Sequence, residues 1–407
     1  MIQPSIYRLR LQDILALCVL ALLCLGVIMV HSAAMSLNNA TDLPRFHWTE
    51  RGAKHAMYAV LALITFFVVG HINYTHFARG STWRNPIMWL LGIAAFTCFL
   101  VLIPIPHVTL EVNGARRWIH LGFAQIQPSE LGKWAVVLFL AWCLTLRPVD
   151  TSRFMGFVVA MLPVGIICVL IVLEDLGTAA LVGLCALAMC LAGRIKLWHL
   201  AVVVPPAIVG GLAFFLQPGK EYRWKRMTAF LDPFASPERE GYHMIQSLLS
   251  FSTGGVFGRG LGRGIQKLGY LPEDTTDFIF AVISEELGLF GAMLTIALYL
   301  GILYVVWQVV RQKRDTFGRL LAFGIGAMIG LQALINIAVA TVSVPPKGLS
   351  LPLVSAGGSG LIITSAALGL LYSVCRHVPA DDLCLIPEPH PTPEPSLDAA
   401  TPMPLAA

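Results

Sequence analysis

The chain has 407 residues, of which 57% are hydrophobic and only 13% charged, with a formal net charge of +5. Soluble domains carry about 25% charged residues, so the composition excludes an ordinary soluble protein and points to a polytopic membrane protein. The nine cysteines show neither CxxC nor Cys/His metal spacing, which argues against a zinc module and against a disulfide framework.

In chain order, apolar runs able to cross a hydrocarbon core of about 30 Å lie near residues 11–31, 53–71, 86–105, 131–146, 154–173, 176–193, 197–216, 278–310, 317–342 and 352–375. The first has no small-residue cleavage site after it and reads as a retained helix. The eighth would be about 50 Å long as one helix, longer than the membrane core, so a break or tilt is expected near Gly288. The expected fold is an all-α polytopic membrane domain over 1–376, with ten transmembrane helices and a large extracytoplasmic loop, 217–277, between the seventh and eighth. The remainder, 377–407, is rich in Pro and acid and reads as a disordered cytoplasmic tail.

An even span count puts both termini on one side. Arg8 and Arg10, Arg79 and Arg84, Arg147 and Arg153, Arg194 and Lys196, Arg311 to Arg319, and Arg376 all fall there. By the positive-inside bias that side is the cytoplasm.

Four of the five outer loops nevertheless carry cations: Arg45 and Arg51, then Arg116 and Arg117, then a run from Lys220 through Arg226 and Arg239 to Lys267, and finally Lys347. Cations at an outer membrane surface suit an anionic ligand, most simply phosphate or diphosphate. The alternative is that they pair with Glu50, Asp175, Asp232, Glu238 and the acids of one unusual stretch. The loop segment "SLLSFSTGGVFGRGLGRG" and the approach to the last span, "TVSVPPKGLSLPLVSAGGSGL", are rich in Gly and Pro. Non-helical backbone at membrane depth must be packed in protein or line a cavity.

The unusual stretch is "LPEDTTDFIFAVISEELG", which places Glu273, Asp274, Asp277, Glu285 and Glu286 at the mouth of an apolar helix. Thr276 reads as the N-cap of a helix starting at Asp277, with the acid favoured by the helix dipole. At least one of the adjacent Glu285 and Glu286 should face protein or water. A carboxylate at a wet membrane edge beside a cationic site suits a general base for transfer of a group from a lipid diphosphate. A transporter coupling carboxylates to protons or cations is equally compatible with these residues.

Several blocks carry a resemblance to a known family: "NGARRWIHLG", "QPSELGKWA", "DLGTA", "FLDPFASPEREGYHMIQSLLSFSTGGVFGRGLG", "QKLGYLPEDTTDFIFAVISEELG" and "PPKGLSLPLVSAGGSGL". In this order, from about Leu11 to Arg376, the chain resembles the SEDS proteins, bacterial peptidoglycan glycosyltransferases of shape, elongation, division and sporulation. "GLGRGIQKLGYLPE" and "KGLSLPLVS" resemble the division branch more than the elongation branch. The resemblance implies that lipid II is polymerised into glycan strands with release of undecaprenyl diphosphate, in septal wall synthesis. It implies Asp277 as the catalytic acid, and Arg116, Arg117, Trp118, Glu130, Lys133, Lys347 and Ser355 as substrate-binding residues.

It further implies a class B penicillin-binding protein transpeptidase and other division proteins as partners, no nucleic acid, and a place in the bacterial cytoplasmic membrane at the septum. No cofactor is called for, although a divalent cation, Mg or Mn, could assist the leaving group. Two other readings remain: a lipid II flippase, and a non-catalytic scaffold for the transpeptidase. Three positions depart from the family pattern: Thr275 where His is usual, Glu174 where Pro is usual, and Ala356 where Tyr is usual.

Overall fold

The computed structural model describes residues 10–35, 49–78, 85–106, 108–112, 115–120, 125–146, 151–216, 221–239, 241–313 and 315–377. Arg8, Arg45, Arg79, Arg84, Arg147, Lys220, Arg314, Cys384 and the tail beyond His377 lie outside the described residues. The helices are α1 (Leu11–Ala33), α2 (Glu50–His71), α3 (Thr75–Ala78), α4 (Pro86–Leu102), α5 (Pro128–Leu146), α6 (Phe154–Glu174), α7 (Leu176–Ala192), α8 (Leu197–Phe215), α9 (Glu221–Leu231), α10 (Tyr242–Gly254), α11 (Ile279–Gln312), α12 (Thr316–Ala340) and α13 (Gly358–Arg376).

Each apolar run read from the sequence contains a helix, although the tenth starts at Gly358, six residues later than expected. Among the described residues, seven helices (α1, α2, α6, α8, α11, α12 and α13) are long and apolar enough to cross a membrane, and α4 and α7 are apolar helices of 17 residues each. The chain is therefore a helical polytopic membrane protein.

The expectation of an all-helical chain needs one correction. Between α4 and α5 lies a three-stranded antiparallel sheet of β1 (Thr109–Val112), β2 (Ala115–His120) and β3 (Gln125–Ile126). Val112 pairs with Ala115, so β1 and β2 are joined by the two residues Asn113-Gly114, the dipeptide that most favours a tight hairpin. The segment between α8 and α11 is also more than a loop, since it holds α9, a 3-10 turn at Pro233–Ala235, and α10.

A second correction concerns the start of α11. The helix begins at Ile279 with Phe278 at the N-cap position, two residues later than expected. The Thr276 hydroxyl caps nothing; it donates to the Glu273 carboxylate at 2.9 Å. Glu273 has a positive φ of 55°, and the Phe278 N–H reaches back to its carbonyl at 3.2 Å. The chain thus turns before the helix starts, and Asp277 sits on that turn.

The expected break in the long helix falls at Gly288, where φ is 66° and ψ is −161°. A Cβ there would lie 2.3 Å from the Gly258 nitrogen, and one on Gly258 would lie 2.2 Å from the Glu286 carbonyl. Only two glycines allow this backbone-to-backbone contact, which seats the Gly-rich loop against the kink.

Helix α5 is the axis of the bundle, packed by α4, α6, α7, α12 and α13. It is buried on every side from Gly132 to Leu144, as an all-round apolar helix must be. Helix α8 is the opposite case: only 11% of its spanning window is buried. The segment before α13 is non-helical but packed in protein, with Leu351, Leu353 and Val354 buried. The Tyr299 hydroxyl donates to the Pro352 carbonyl, and a Cβ on Gly26 would lie 2.9 Å from Leu353 and Val354 backbone atoms.

Candidate active site at one end of the bundle

Four of the connections read as outer loops meet at one end of the bundle. They enclose a cavity of about 1540 Å3. Four cations line it, Arg116 and Arg117 from β2, Arg226 from α9 and Lys347 from the segment before α13. Facing them are Asp277, Glu273, Glu174, Asp175 and Glu130. One arm is apolar, walled by Leu173, Leu176, Leu181 and Leu184 with Leu212 and Phe215 of α8. A charged floor that continues into an apolar slot at membrane depth suits an amphiphile with an anionic head.

Asp277 is half-buried and is held by its backbone. The Asn336 amide of α12 donates to the Asp277 carbonyl at 2.8 Å and to the Leu349 carbonyl at 2.7 Å. The Ser355 hydroxyl donates to the Thr276 carbonyl at 2.6 Å and accepts from the Leu351 N–H at 2.7 Å. Gly348 brings the loop of Lys347 against the acid, since a Cβ there would lie 3.0 Å from Asp277 Oδ2. The Asp277 carboxylate itself makes no hydrogen bond or ion pair among the described residues. Burial, then the charges of Glu273 and Asp175, push this carboxyl up to about 7, against the pull of Arg117 and Arg226. An acid with a pKa near neutrality is matched to general base work.

The cations are placed in different ways. Arg117 Nε donates to the Glu174 carbonyl at 3.3 Å, which aims β2 into the cavity. Lys347 is exposed and makes no ion pair among the described residues. Elsewhere the pairing alternative is correct in part. Lys54 pairs with Glu50 at 2.5 Å and Lys267 with Glu286 at 2.7 Å, while Arg259 lies 3.9 Å from Glu285. Asp175 instead caps α7, accepting from Gly177 and Thr178.

Two of the sequence-predicted binding residues do not line the cavity. Lys133 is only 1% exposed, bonded to Glu130 at 2.8 Å and to Gln332 at 2.7 Å. Gln332 passes the contact on to the Ser350 carbonyl at 2.8 Å. Ser355 is buried and bonded as above, so both residues support the loops that shape the site. Arg116, Arg117, Trp118, Glu130, Lys347 and Asp277 do come together. The sequence reading missed Gln332 and Asn336, which lie in an apolar helix, and counted Arg226 only among the loop cations.

Glu285 and Glu286 stand apart from the cavity, and both are fully buried. Glu285 accepts from the Ile265 and Gln266 N–H groups, and Glu286 from those of Gly262 and Gly264. The Ser32 hydroxyl and Lys267 complete the shell of Glu286. Among the described residues no three His, Cys, Asp or Glu side chains form a metal cage.

The family model described as "Cell cycle protein", for FtsW, RodA and SpoVE, matches residues 12–379. The chain belongs to this family. A relative from Nitrosococcus halophilus (strain Nc4), named "Probable peptidoglycan glycosyltransferase FtsW", is 37% identical over 382 residues, covering 91% of this chain and 92% of the relative. The solved structure of the rod shape determining protein RodA of Thermus thermophilus is 27% identical with a TM-score of 0.62, covering 89% of this chain and 96% of that one. A chain from a peptidoglycan synthase complex that coordinates polymerization and crosslinking is also 27% identical, with a TM-score of 0.66 and coverage of 89% and 96%. The higher identity to the FtsW relative agrees with the division-branch blocks in the sequence.

Two of the three departures from the family pattern touch each other. The Ala356 N–H donates to the Thr275 carbonyl at 2.8 Å, so the altered positions lie at one junction between the Asp277 turn and the last loop. The third, Glu174, lines the cavity and offers its carbonyl to Arg117.

Proposed function

We propose that the chain is a peptidoglycan glycosyltransferase that polymerises lipid II and releases undecaprenyl diphosphate. The observation that carries this reading is the Asp277 carboxylate, without a bonded partner among the described residues, facing a cationic cavity with an apolar slot. The lipid's diphosphate lies against Arg116, Arg117, Arg226 and Lys347, with its polyprenyl tail along the slot. A sugar 4-hydroxyl of a second lipid-linked chain attacks the anomeric carbon. The new C–O bond forms as the bond from that carbon to the diphosphate oxygen breaks. The leaving oxygen takes the electron pair, and the Asp277 carboxylate takes the hydroxyl proton. The arginines and lysine stabilise the charge that gathers on the diphosphate.

A divalent cation fits here only with the substrate's help. Mg2+ commonly takes one or two carboxylates together with phosphate oxygens. Asp277 and Glu273 are the acids that would hold it, and it would supply charge neutralisation to the leaving group.

The flippase reading needs titratable groups free to work at mid-membrane. The charged groups inside the helices, Lys133, Glu285 and Glu286, are each locked in buried bonds. The scaffold reading leaves the perturbed acid and its cavity without a use. The deciding experiment is incubation of the purified chain with lipid II, with and without a class B penicillin-binding protein transpeptidase, and gel analysis of the glycan products. Glycan strands in either arm support the enzyme. Their absence in both, with lipid II translocated in vesicles, supports the flippase.

We infer ten spans, both termini cytoplasmic, the 217–277 segment outside, and a place in the septal membrane beside that transpeptidase and other division proteins. The meeting of four of these connections around one cavity supports this arrangement. A Ser236→Cys variant should react with a membrane-impermeant thiol reagent from outside only. Labelling from the cytoplasm would reverse the topology.

A further inference from the structure

Beside the large cavity is a second pocket of about 380 Å3, at the low end of the roughly 300–1,000 Å3 of small-ligand sites. The two share Arg226, Glu273, Asp277, Pro346, Lys347 and Gly348. Only the small pocket has Arg239, His243 and Phe278. It has no apolar slot, so nothing in it accommodates a polyprenyl chain. The pocket borders the same carboxylate.

We infer that the small pocket holds the sugar that brings the attacking hydroxyl, with an anionic substituent of that substrate held by Arg239. This rests on the glycosyltransferase reading and divides its two substrates. The donor needs a place for its lipid and its diphosphate, which the large cavity offers. The acceptor reacts through a hydroxyl far from its own lipid, so the end that enters the site is purely polar. A pocket of polar and cationic groups without an apolar arm matches that end.

Chemistry on the page supports both parts. Three cations, Arg226, Arg239 and Lys347, meet two acids, Glu273 and Asp277, so the pocket favours an anionic group such as a peptide carboxylate. Burial first, then the nearby Arg226 charge, lowers the pKa of His243. Its imidazole is then neutral near pH 7, able to donate to one sugar hydroxyl and accept from another. The His243 ring stacks on Phe278 with centroids 6.2 Å apart and planes at 12°. Phe278 follows Asp277 directly, so the wall of the pocket and the base are on one rigid piece of chain. The proton moves from the acceptor hydroxyl to Asp277 as its oxygen bonds to the donor carbon and the diphosphate leaves.

Arg239 is the residue to test, because it is exposed and lines this pocket alone. The full chain in lipid nanodiscs, with its transpeptidase, would be given lipid II and a soluble, lipid-free disaccharide pentapeptide as competitor. The parent should be inhibited by this fragment, and about tenfold less by the disaccharide without peptide, the scale of one charge-assisted contact. Arg239→Gln should need about tenfold more disaccharide pentapeptide for the same inhibition, and Arg239→Lys should restore part of the difference. Binding of a fluorescent polyprenyl diphosphate should be the same in all three proteins. Equal inhibition of parent and Arg239→Gln, or no inhibition of an active parent, overturns the subsite. So does a parallel loss of polyprenyl diphosphate binding, which would mean a general or structural effect. A parent that makes no glycan at all overturns the glycosyltransferase reading itself, which is a separate result.

Discussion

Asp277 and the pair Glu285–Glu286 lie within one short stretch, yet they are opposite kinds of acid. The pair is fully buried, and each carboxylate is filled with backbone N–H groups, with a lysine beside Glu286. Asp277 is half-buried and faces a cavity, and its carboxylate has no bonded partner among the described residues. The buried pair costs desolvation that its bonds offset, and in return it pins a Gly-rich loop to a kinked helix. Asp277 keeps the cost of its surroundings as a raised pKa. A carboxylate with satisfied oxygens holds structure; one left unsatisfied beside cations is available for chemistry.

The largest test of that contrast is on the structural side. Glu286→Gln leaves Lys267 buried without its counter-charge, a loss of about 3–5 kcal/mol for one partner of a buried pair. Thermal unfolding in detergent should shift well down, and the yield of inserted protein should fall. A melting curve like the parent's would mean that the cluster does not hold the loop.

Asp277→Asn should do the reverse. Polymerisation of lipid II should drop by at least about 100-fold, the lower scale for general base catalysis. Its melting temperature above pH 7 should match or exceed the parent's, because a charge that the fold disfavours has been removed. Near-parent polymerisation would pass the role of base to another acid and revive the scaffold reading.

Lys347→Gln comes next in size. Loss of one charge-assisted hydrogen bond costs about 1.5–3 kcal/mol, or roughly 10- to 150-fold in kcat/KM. The same substitution should weaken inhibition by undecaprenyl diphosphate. If that inhibition is unchanged, Lys347 does not touch the diphosphate.

The smallest effect is a shift along the pH axis. With its carboxyl raised to about 7, Asp277 is protonated below that pH, so the polymerisation rate should rise with pH through this region. Glu273 is a charge that raises the value. Glu273→Gln should therefore move the acid limb to lower pH. A limb that stays in place, or moves upward, contradicts the assigned electrostatics.

What the sequence made legible follows from what it could encode locally. The break at Gly288 was readable because an unbroken 278–310 helix outruns the membrane. The helices were readable because apolar runs are long and continuous. The hairpin of β1 and β2 was missed although Asn113-Gly114 signals it, since the search for spans treats everything between them as loop. The cap at Thr276 failed because the chain turns at Glu273, in the left-handed region, and the helix starts only at Ile279. Lys133 looked like a ligand contact in its motif, and only the packing of α5 against α12 reveals its bond to Gln332. Asn336 was unreadable for the same reason: its partner Asp277 is 59 residues away in sequence.

That asparagine has a mechanical consequence. Its one amide group holds the carbonyl of Asp277 and the carbonyl of Leu349, two residues beyond Lys347. The proton acceptor and the lysine are thus tethered to a common post in α12, and Gly348 sets them side by side. A displacement of either strand drags the other along, so the spacing between acid and cation is protected during a reaction cycle. Whatever the enclosure must do to admit and release long substrates falls to the facing wall. There α8, with only 11% of its spanning window buried, has the fewest protein neighbours to resist it and the bilayer itself as its outer support.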